Sequence, residues 1–403
     1  MSDAPRTKPL DGIRVLDIAT LVAAPFASAS MAEFGAEVIK LEKPGEGDTL
    51  RRLGTPSAAG DTYWWMSDGR NKRCATLDLR QPEGAALFRQ LVAKADIVME
   101  NFRPGTLERW GLGYDALAAI NPGIILLRVS GYGQTGPKAS DVGVARIAEG
   151  FAGTAYLTGE PDGRPLLGGA SALADYVTGL YGAYGAMLAL RERDRSGKGQ
   201  MIDLALYDGL LRFLDELAPH HGDTGAVRER MGAETHRSVP HSNYPTGDGQ
   251  WVSIACTNDL LFTRLASAMG QPECEQHPRF ATNAARIEHR DLVNARVEEW
   301  TRAHPLAEIV RACAAAGVPC GPIMSIADMA QDEHHRARGS FRTVADHRSG
   351  PLRVVDTVPR LSATPGGIDH LGRALAQDND YVFRELLGLA EDELAALTAR
   401  GII

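Results

Sequence analysis

The chain has 403 residues, 44% of them hydrophobic. Single cores stop growing at roughly 250–300 residues, so two domains are expected. A formal net charge of −8 gives no overall pull toward nucleic acid or an anionic membrane, and an anionic ligand must be held by a local cluster of Lys and Arg.

Residues 1–10 carry charges and prolines without an apolar core, and the apolar stretch 21–32 is interrupted by Pro25, Ser28 and Ser30. Neither a signal peptide nor a membrane span is expected. Short apolar runs at 13–18, 38–41, 75–79, 97–102 and 124–129 predict strands, with helices at 26–34 and 82–94 between them. Pro82 sits in the first turn of the second helix, where its missing N–H costs nothing. Strand and helix in alternation predict an α/β domain with a Rossmann-like, doubly wound parallel sheet. After a glycine-rich stretch at 159–169, residues 172–193 have helical periodicity and end in Arg191 and Arg193, cations that complement the helix dipole. A further strand is predicted at 201–206 and a helix at 207–217.

Composition shifts at 218–242, which is rich in His, Gly, Arg and Glu and has weak periodicity, as expected of a linker. Beyond it, a hairpin around Gly247-Asp248-Gly249 and helices at 260–269, 292–303 and 306–316 predict a small α+β domain over about 243–328. From about 329 onward, a strand at 352–358 and a helix at 392–400 are expected to rejoin the first domain. The large domain is thus 1–217 plus about 329–403.

Five scattered cysteines, Cys74, Cys256, Cys274, Cys313 and Cys320, form no CxxC pair, and they read as reduced thiols of a cytoplasmic protein without a metal site. Gly131-Tyr-Gly133-Gln-Thr-Gly136 is a formal GxGxxG. A dinucleotide fingerprint opens directly into a helix, whereas here Pro137-Lys138-Ala139-Ser140-Asp141 follows, which is turn chemistry; these glycines are read as shaping a loop. There is no GxSxG and no HExxH, and the first histidine is His220. Attention therefore falls on carboxylates. Asp175 follows Gly168-Gly169-Ala170-Ser171 near the start of the long predicted helix. The positive helix end should keep it ionised, and amides of the glycine turn could receive a developing oxyanion. By position alone, it reads equally as a stabilising first-turn carboxylate.

Segments along the whole chain match one family. They include Pro9-Leu-Asp-Gly-Ile-Arg-Val-Leu-Asp17, Phe34-Gly-Ala-Glu-Val-Ile-Lys-Leu-Glu42, Asn71-Lys-Arg, Glu100-Asn-Phe-Arg-Pro-Gly105, Ser130-Gly-Tyr-Gly-Gln-Thr-Gly-Pro137, Thr158-Gly-Glu-Pro-Asp-Gly163, Gly197-Lys-Gly-Gln200 and Gly317-Val-Pro-Cys-Gly-Pro322. No one segment is diagnostic, but in this order and spacing the sequence resembles the class III CoA-transferases (CaiB/BaiF family), the family of formyl-CoA transferase and the carnitine CoA-transferases. The resemblance implies an enzyme that moves coenzyme A from an acyl-CoA to a carboxylic acid, with CoA as substrate and no tightly bound cofactor. It assigns Asp175 as the nucleophile, passing through an aspartyl mixed anhydride and an aspartyl–CoA thioester. It places CoA along Leu21, Val22, Ala23, Lys43, Leu77, Arg80, Asn101, Phe102 and Arg109, and it implies an interlaced homodimer.

Two departures bear on the acid. Val22 stands where formyl-CoA transferase has glutamine, and Val144 and Ala145 stand where some relatives have an aromatic and an acidic residue. With Arg146 beside this second departure and His236, Arg237 and His241 in the 218–242 segment, the expectation is that Arg146, His236 or Arg237 grips the second carboxylate of a dicarboxylic acid. Surface charge is the bland alternative for all three. An α-methylacyl-CoA racemase would need a histidine between the 131–137 loop and Asp175, and none is there. A non-catalytic acyl-CoA-binding relative is the other alternative, against which the intact Asp175 argues.

Overall fold

Aliphatic runs form strands β1 (Arg14–Asp17), β2 (Glu37–Glu42), β3 (Lys72–Thr76), β4 (Ile97–Glu100), β5 (Ile125–Ser130) and β6 (Met201–Ala205), all parallel, in the order β3-β2-β1-β4-β5-β6. The computed structural model describes residues 8–169, 172–214 and 216–403. Between the strands lie α1 (Ala23–Glu33), α2 (Tyr63–Asp68), α3 (Pro82–Val92), α4 (Thr106–Arg109), α5 (Tyr114–Ile120), α6 (Ala145–Phe151), α7 (Thr154–Leu157) and the long α8 (Leu173–Ser196). Successive strand residues point to opposite faces, and both faces are covered, which divides the core in two. Val15, Val38, Ile97 and Leu127 pack with Ala24, Ala27 and Ala186 on one side. Leu16, Ile39, Val98 and Leu126 pack with Phe88 and Leu91 on the other.

Most predicted elements are present within a few residues. β3 differs: it begins at Lys72, not Ala75, and Leu77 already lies beyond it. The reason is a buried ion pair that brings Lys72 into the sheet (3.0 Å to Asp17), while the Asp78 amide leaves the sheet to bond the carbonyl of Ile402. The predicted helix at 207–217 resolves into α9 (Asp208–Leu211) and a 3₁₀ turn at Arg212–Leu214, after which α10 covers Leu217–Thr224.

By contact density the chain divides into Met1–Thr154, Leu167–Thr224 and Ala337–Ile403 as one unit, and Ala155–Leu166 with Gly225–Arg336 as another. In the second, β7 (His241–Pro245), β8 (Trp251–Ala255) and β9 (Cys320–Pro322) form an antiparallel sheet. Gly249 turns the β7–β8 hairpin at φ +77°. The helices of this unit are α11 (Asp259–Ala268), α12 (Asn283–Glu288), α13 (Arg290–Ala303), α14 (Leu306–Ala316), α15 (Ile326–Gln331) and α16 (Glu333–Arg338), the last reaching the next segment. The C-terminal segment adds the antiparallel pair β10 (Phe341–Val344) and β11 (Leu352–Val355), a π-helical turn at Asp380–Leu386 and α17 (Glu391–Ala399). It packs on the first sheet: Asp378 accepts the Cys74 amide at 2.7 Å, and Ile402 and Ile403 are buried in the Leu16 cluster. No described helix is long and apolar enough to cross a membrane.

Candidate active site

Open parallel sheets bind ligands beyond the carboxyl ends of their strands, where the strand order reverses. Here the reversal lies between β1 and β4, and beside it the residues after β1, β2, β3 and β4 enclose a cleft of about 260 Å³. Lys40 and Asp48 of its lining belong to a buried charge cluster. Asp17, at the end of β1, is fully buried and meets the ammonium groups of Lys40 at 3.5 Å and Lys72 at 3.0 Å, and it accepts the Ser28 hydroxyl at 2.6 Å. Lys40 also meets Asp48 at 2.9 Å and donates to the Ala19 carbonyl. Burial would push Asp17 up, but Lys40, Lys72 and Ser28 outweigh it and hold its carboxyl below the usual range. In return, Asp17 and Asp48 raise Lys40 against its own burial.

This cluster shapes the loop after β1. Asp48 accepts the amide of Leu21 at 3.0 Å, holding that residue at φ +64°, a left-handed conformation that costs a non-glycine residue about 1 kcal/mol. Asn101 grips the preceding residue twice, accepting the Thr20 amide at 2.8 Å and donating to its carbonyl at 2.6 Å.

Of the nine residues expected to contact CoA, Lys43, Leu77, Arg80 and Phe102 line the cleft. Arg80 forks onto Asp78 (2.8 and 2.7 Å), and Lys43 pairs with Glu46. Phe102 meets Trp110 edge to face at 5.1 Å, making an apolar wall with Leu77. Leu21, Val22, Ala23, Asn101 and Arg109 lie outside the lining. Arg109 donates to Thr106 at 2.9 Å, and Asn101 acts through Thr20. Arg52 and Trp110 line the cleft without having been singled out from the sequence.

Val22 points the other way. It is buried with Leu50, Trp65 and Cys74, in a cluster joined by Leu21, Trp64 and Tyr176. Tyr176 follows Asp175 on α8 and is locked: Trp64 Nε1 donates to its hydroxyl at 2.8 Å, that hydroxyl reaches Asp68 at 3.0 Å, and Phe26 packs edge to face against its ring at 4.8 Å. Burial, then Asp68, pushes the Tyr176 phenol up, so it stays protonated.

Asp175 lies in the first turn of α8 and is half-buried. Its carboxyl is pushed up to about 6, first by burial and then by the negative charge of Glu149 on α6. The expected helix-end stabilisation is outweighed. Glu149 is itself 1% exposed. Burial pushes its carboxyl up, only partly offset by the backbone N–H groups of Gly168 and Ala174 and by Arg146. Ala170 and Ser171, the rest of the predicted glycine turn, lie outside the described residues, as does the N-terminal 1–7. At neutral pH the Asp175 carboxylate is largely ionised yet more basic than an ordinary aspartate, which suits a nucleophile.

Gly131–Gly136 enters no helix: the chain runs through turns until α6 begins at Ala145. Arg146 is exposed on the first turn of α6 in the first unit. His236, half-buried, and Arg237, exposed, belong to the second unit, where the Arg237 carbonyl accepts from Asn283 at 2.8 Å. Among the described residues no His, Cys, Asp and Glu cluster could hold a metal ion.

The sequence model of CoA-transferase family III matches residues 10–378. Two relatives from Chloroflexus aurantiacus span this chain and their own full length: the succinyl-CoA–L-malate CoA-transferase beta subunit at 46% identity, and succinyl-CoA–D-citramalate CoA-transferase at 45%. Succinate–glutarate CoA-transferase of Agrobacterium fabrum is 38% identical over 96% of this chain and 98% of its own. A solved CaiB/BaiF family protein from Brucella suis superposes with a TM-score of 0.85 at 36% identity, covering 94% of this chain and all of that one. With the matched segment running from just before β1 to just before the π-helical turn at Asp380–Leu386, the chain belongs to CoA-transferase family III.

Proposed function

We infer that this family III enzyme transfers CoA from an acyl-CoA of the succinyl-CoA type to a dicarboxylic acid, with Asp175 as the nucleophile. The observation that carries the reading is the setting of Asp175: a half-buried carboxylate of raised basicity, at the start of a helix packed against α1. Three relatives named above take acids that share two carboxylates, malate, citramalate and glutarate. Asp175 attacks the thioester carbonyl and expels CoA as its thiolate, leaving an aspartyl mixed anhydride. The thiolate then attacks the aspartyl carbonyl and releases the first acid, and the aspartyl–CoA thioester passes CoA to the second acid by the reverse steps. The cleft with Lys43, Arg52 and Arg80 at its edge suits the CoA phosphates, and Leu77, Phe102 and Trp110 suit its apolar parts. The carboxylate that does not react needs a cation, for which Arg146 in one unit and His236 and Arg237 in the other are the candidates.

The enzyme works as an interlaced homodimer in the cytoplasm. Leu180, Tyr184 and Leu188 form an i, i+4, i+8 stripe on α8 that is 61, 59 and 53% exposed in the single chain, although the opposite side of the helix is buried. A helix apolar on both sides is covered on both sides in its working state. All five cysteines are free thiols, four of them buried, as in a reducing compartment.

The test is to mix the protein with succinyl-CoA and either malate or a monocarboxylate, following exchange by chromatography and adducts by mass spectrometry. Exchange that prefers the dicarboxylate and a CoA or succinyl mass on the peptide carrying Asp175 are expected. Full activity in Asp175→Asn overturns the assignment.

A further inference from the structure

The first turn of α8, which carries Asp175, has no cap of the usual kind. Ala172, the residue before the helix, supplies no side-chain hydrogen bond, where a Ser, Thr, Asp or Asn would bond an amide of that turn. The turn is held instead through Tyr176, the residue after Asp175. The Tyr176 amide donates to the Ala172 carbonyl at 3.1 Å, closing the turn. Its hydroxyl donates to Asp68 Oδ2 at 3.0 Å and accepts from Trp64 Nε1 at 2.8 Å, and the same indole N–H reaches Asp68 Oδ2 at 3.0 Å. Its ring meets Phe26 of α1 edge to face at 4.8 Å.

The far end of this tether is itself fixed. Trp64 and Asp68 lie on α2, and Asp68 is buried. The Thr62 hydroxyl caps α2, accepting the Trp65 amide at 3.1 Å, and donates to the Leu50 carbonyl at 2.7 Å. Trp65 Nε1 donates to the Arg373 carbonyl at 3.1 Å, and the Arg51 guanidinium lies over the Trp65 ring at 3.8 Å. Leu50 is held from the cleft: its amide and that of Leu21 both donate to Asp48 Oδ1, at 2.8 and 3.0 Å, and Asp48 lines the cleft. Tyr176 packs against the cluster of Val22, Leu50, Trp65 and Cys74. The turn that carries Asp175 and the loops that border the cleft are thus joined in one block.

We propose that Tyr176 is a positioning residue for acyl transfer: its hydroxyl, held by Asp68 and Trp64, fixes the first turn of α8 so that the Asp175 carboxylate meets the thioester of an acyl-CoA whose CoA part occupies the cleft. The inference rests on Asp175 being the nucleophile. In the attack, one carboxylate oxygen of Asp175 forms a C–O bond to the thioester carbon, the C–S bond breaks, and sulfur leaves with the electron pair as CoA thiolate. No proton moves, so Tyr176 acts as neither acid nor base. What it supplies is placement. Attack requires the oxygen to lie about 3–3.5 Å from the carbon and in line with it, and a misplacement of about 1 Å costs up to about 100-fold in rate. The thiolate then attacks the aspartyl carbonyl, so the same placement serves both covalent steps. A phenylalanine would fill the apolar space beside Phe26 equally well; the tyrosine adds the two hydrogen bonds that tie this turn to α2.

The experiment mixes wild type, Tyr176→Phe and Trp64→Phe with succinyl-CoA, quenches at short times, and follows the succinyl or CoA mass on the peptide carrying Asp175 by mass spectrometry. It reads the limiting rate constant of adduct formation, the succinyl-CoA concentration that gives half of it, and the fraction of molecules that react. Tyr176→Phe is expected to lower the limiting rate constant roughly tenfold and to leave the half-saturating concentration within about twofold of wild type, because the residues that line the cleft are untouched. A merely structural role would lower Tm and the reacting fraction and leave the rate constant of the molecules that react unchanged. A limiting rate constant lowered by less than about threefold in Tyr176→Phe, or a loss that falls wholly on the half-saturating concentration or the reacting fraction, overturns this inference and leaves the nucleophile standing. Exchange without any adduct at Asp175 overturns the nucleophile and this inference together. Should Tyr176→Phe not fold, Trp64→Phe decides by the same measure: a limiting rate constant lowered about threefold or more supports the tether, and one closer to wild type overturns it.

Discussion

Gly179 stands one turn after Asp175, where α8 crosses α1, and the crossing is tight enough for one methyl group to test it. A Cβ at Gly179 would lie 2.5 Å from the carbonyl oxygen of Ala23 and 2.9 Å from Cδ1 of Phe26. Heavy atoms prefer separations of about 3.5 Å, so α8 and α1 would have to part by about 1 Å, and backbone cannot swing aside as a side chain can. The Thr178 hydroxyl, bonded to the Leu206 carbonyl at 3.1 Å, braces α8 on its other side. Overpacking of this kind costs about 1–3 kcal/mol, and the better helix propensity of Ala returns about 1 kcal/mol. Gly179→Ala should therefore lose up to about 2 kcal/mol, a fall of up to a few degrees in Tm by calorimetry. Activity should suffer more than stability. With Asp175 as the proposed nucleophile, a displacement of about 1 Å in its helix is worth up to about 100-fold in kcat. Gly185→Ala is the control, because its Cβ would meet only Ile202 Cγ2 at 3.4 Å and Cδ1 at 3.7 Å, and it should match or slightly exceed wild-type stability with unchanged kcat. If the two variants behave alike in both Tm and kcat, the close crossing is not what places Asp175.

Asp17→Asn leaves buried Lys72 with no ion pair within 4 Å and buried Lys40 with Asp48 as its one such pair among the described residues. Leaving a buried charge without its partner costs about 3–5 kcal/mol, so a large fall in Tm is expected, partly recovered by adding Lys72→Met; a Tm within a degree of wild type would sink the account of the buried charge cluster. Leu180→Glu combined with Leu188→Glu places charge on the exposed stripe of α8 and should convert a two-chain particle into a one-chain one, read by light scattering after gel filtration. A wild-type protein of single-chain mass, or a double variant of unchanged mass, argues against a homodimer built on that face.

The sheet was legible because its signal is local. Strands covered on both faces read as continuous aliphatic runs, and β4 and β5 are buried along their whole length. β3 was misplaced for the complementary reason. Its first residues, Lys72 and Arg73, look like surface in sequence, and only the fold supplies Asp17 for the one and Glu37, at 3.2 Å, for the other. Short helices such as α2 and α6 went unread because neither is long enough to show a period, although α2 carries Trp64 and Asp68 and α6 carries Arg146 and Glu149.

The site divides along the same line. Lys43, Leu77, Arg80 and Phe102 lie in or just after strands that the sequence predicts, so a resemblance over those segments also brings them to one cleft. Asp175 could be located in the same way, but its chemistry could not. From position alone, the start of a helix should lower a carboxylate's pKa by an amount that fades within a turn. What opposes that effect is burial and a glutamate 26 positions earlier, a neighbour that exists only once α6 lies against α8. A local electrostatic rule has the correct sign for an isolated helix and the wrong sign here, because desolvation and a second anion are properties of the packed molecule. Under the proposed mechanism, a nucleophile that passes between two acids through neutral covalent states gains from an environment that makes its free anion the less comfortable form, and a surface aspartate in a helix's first turn has no such environment.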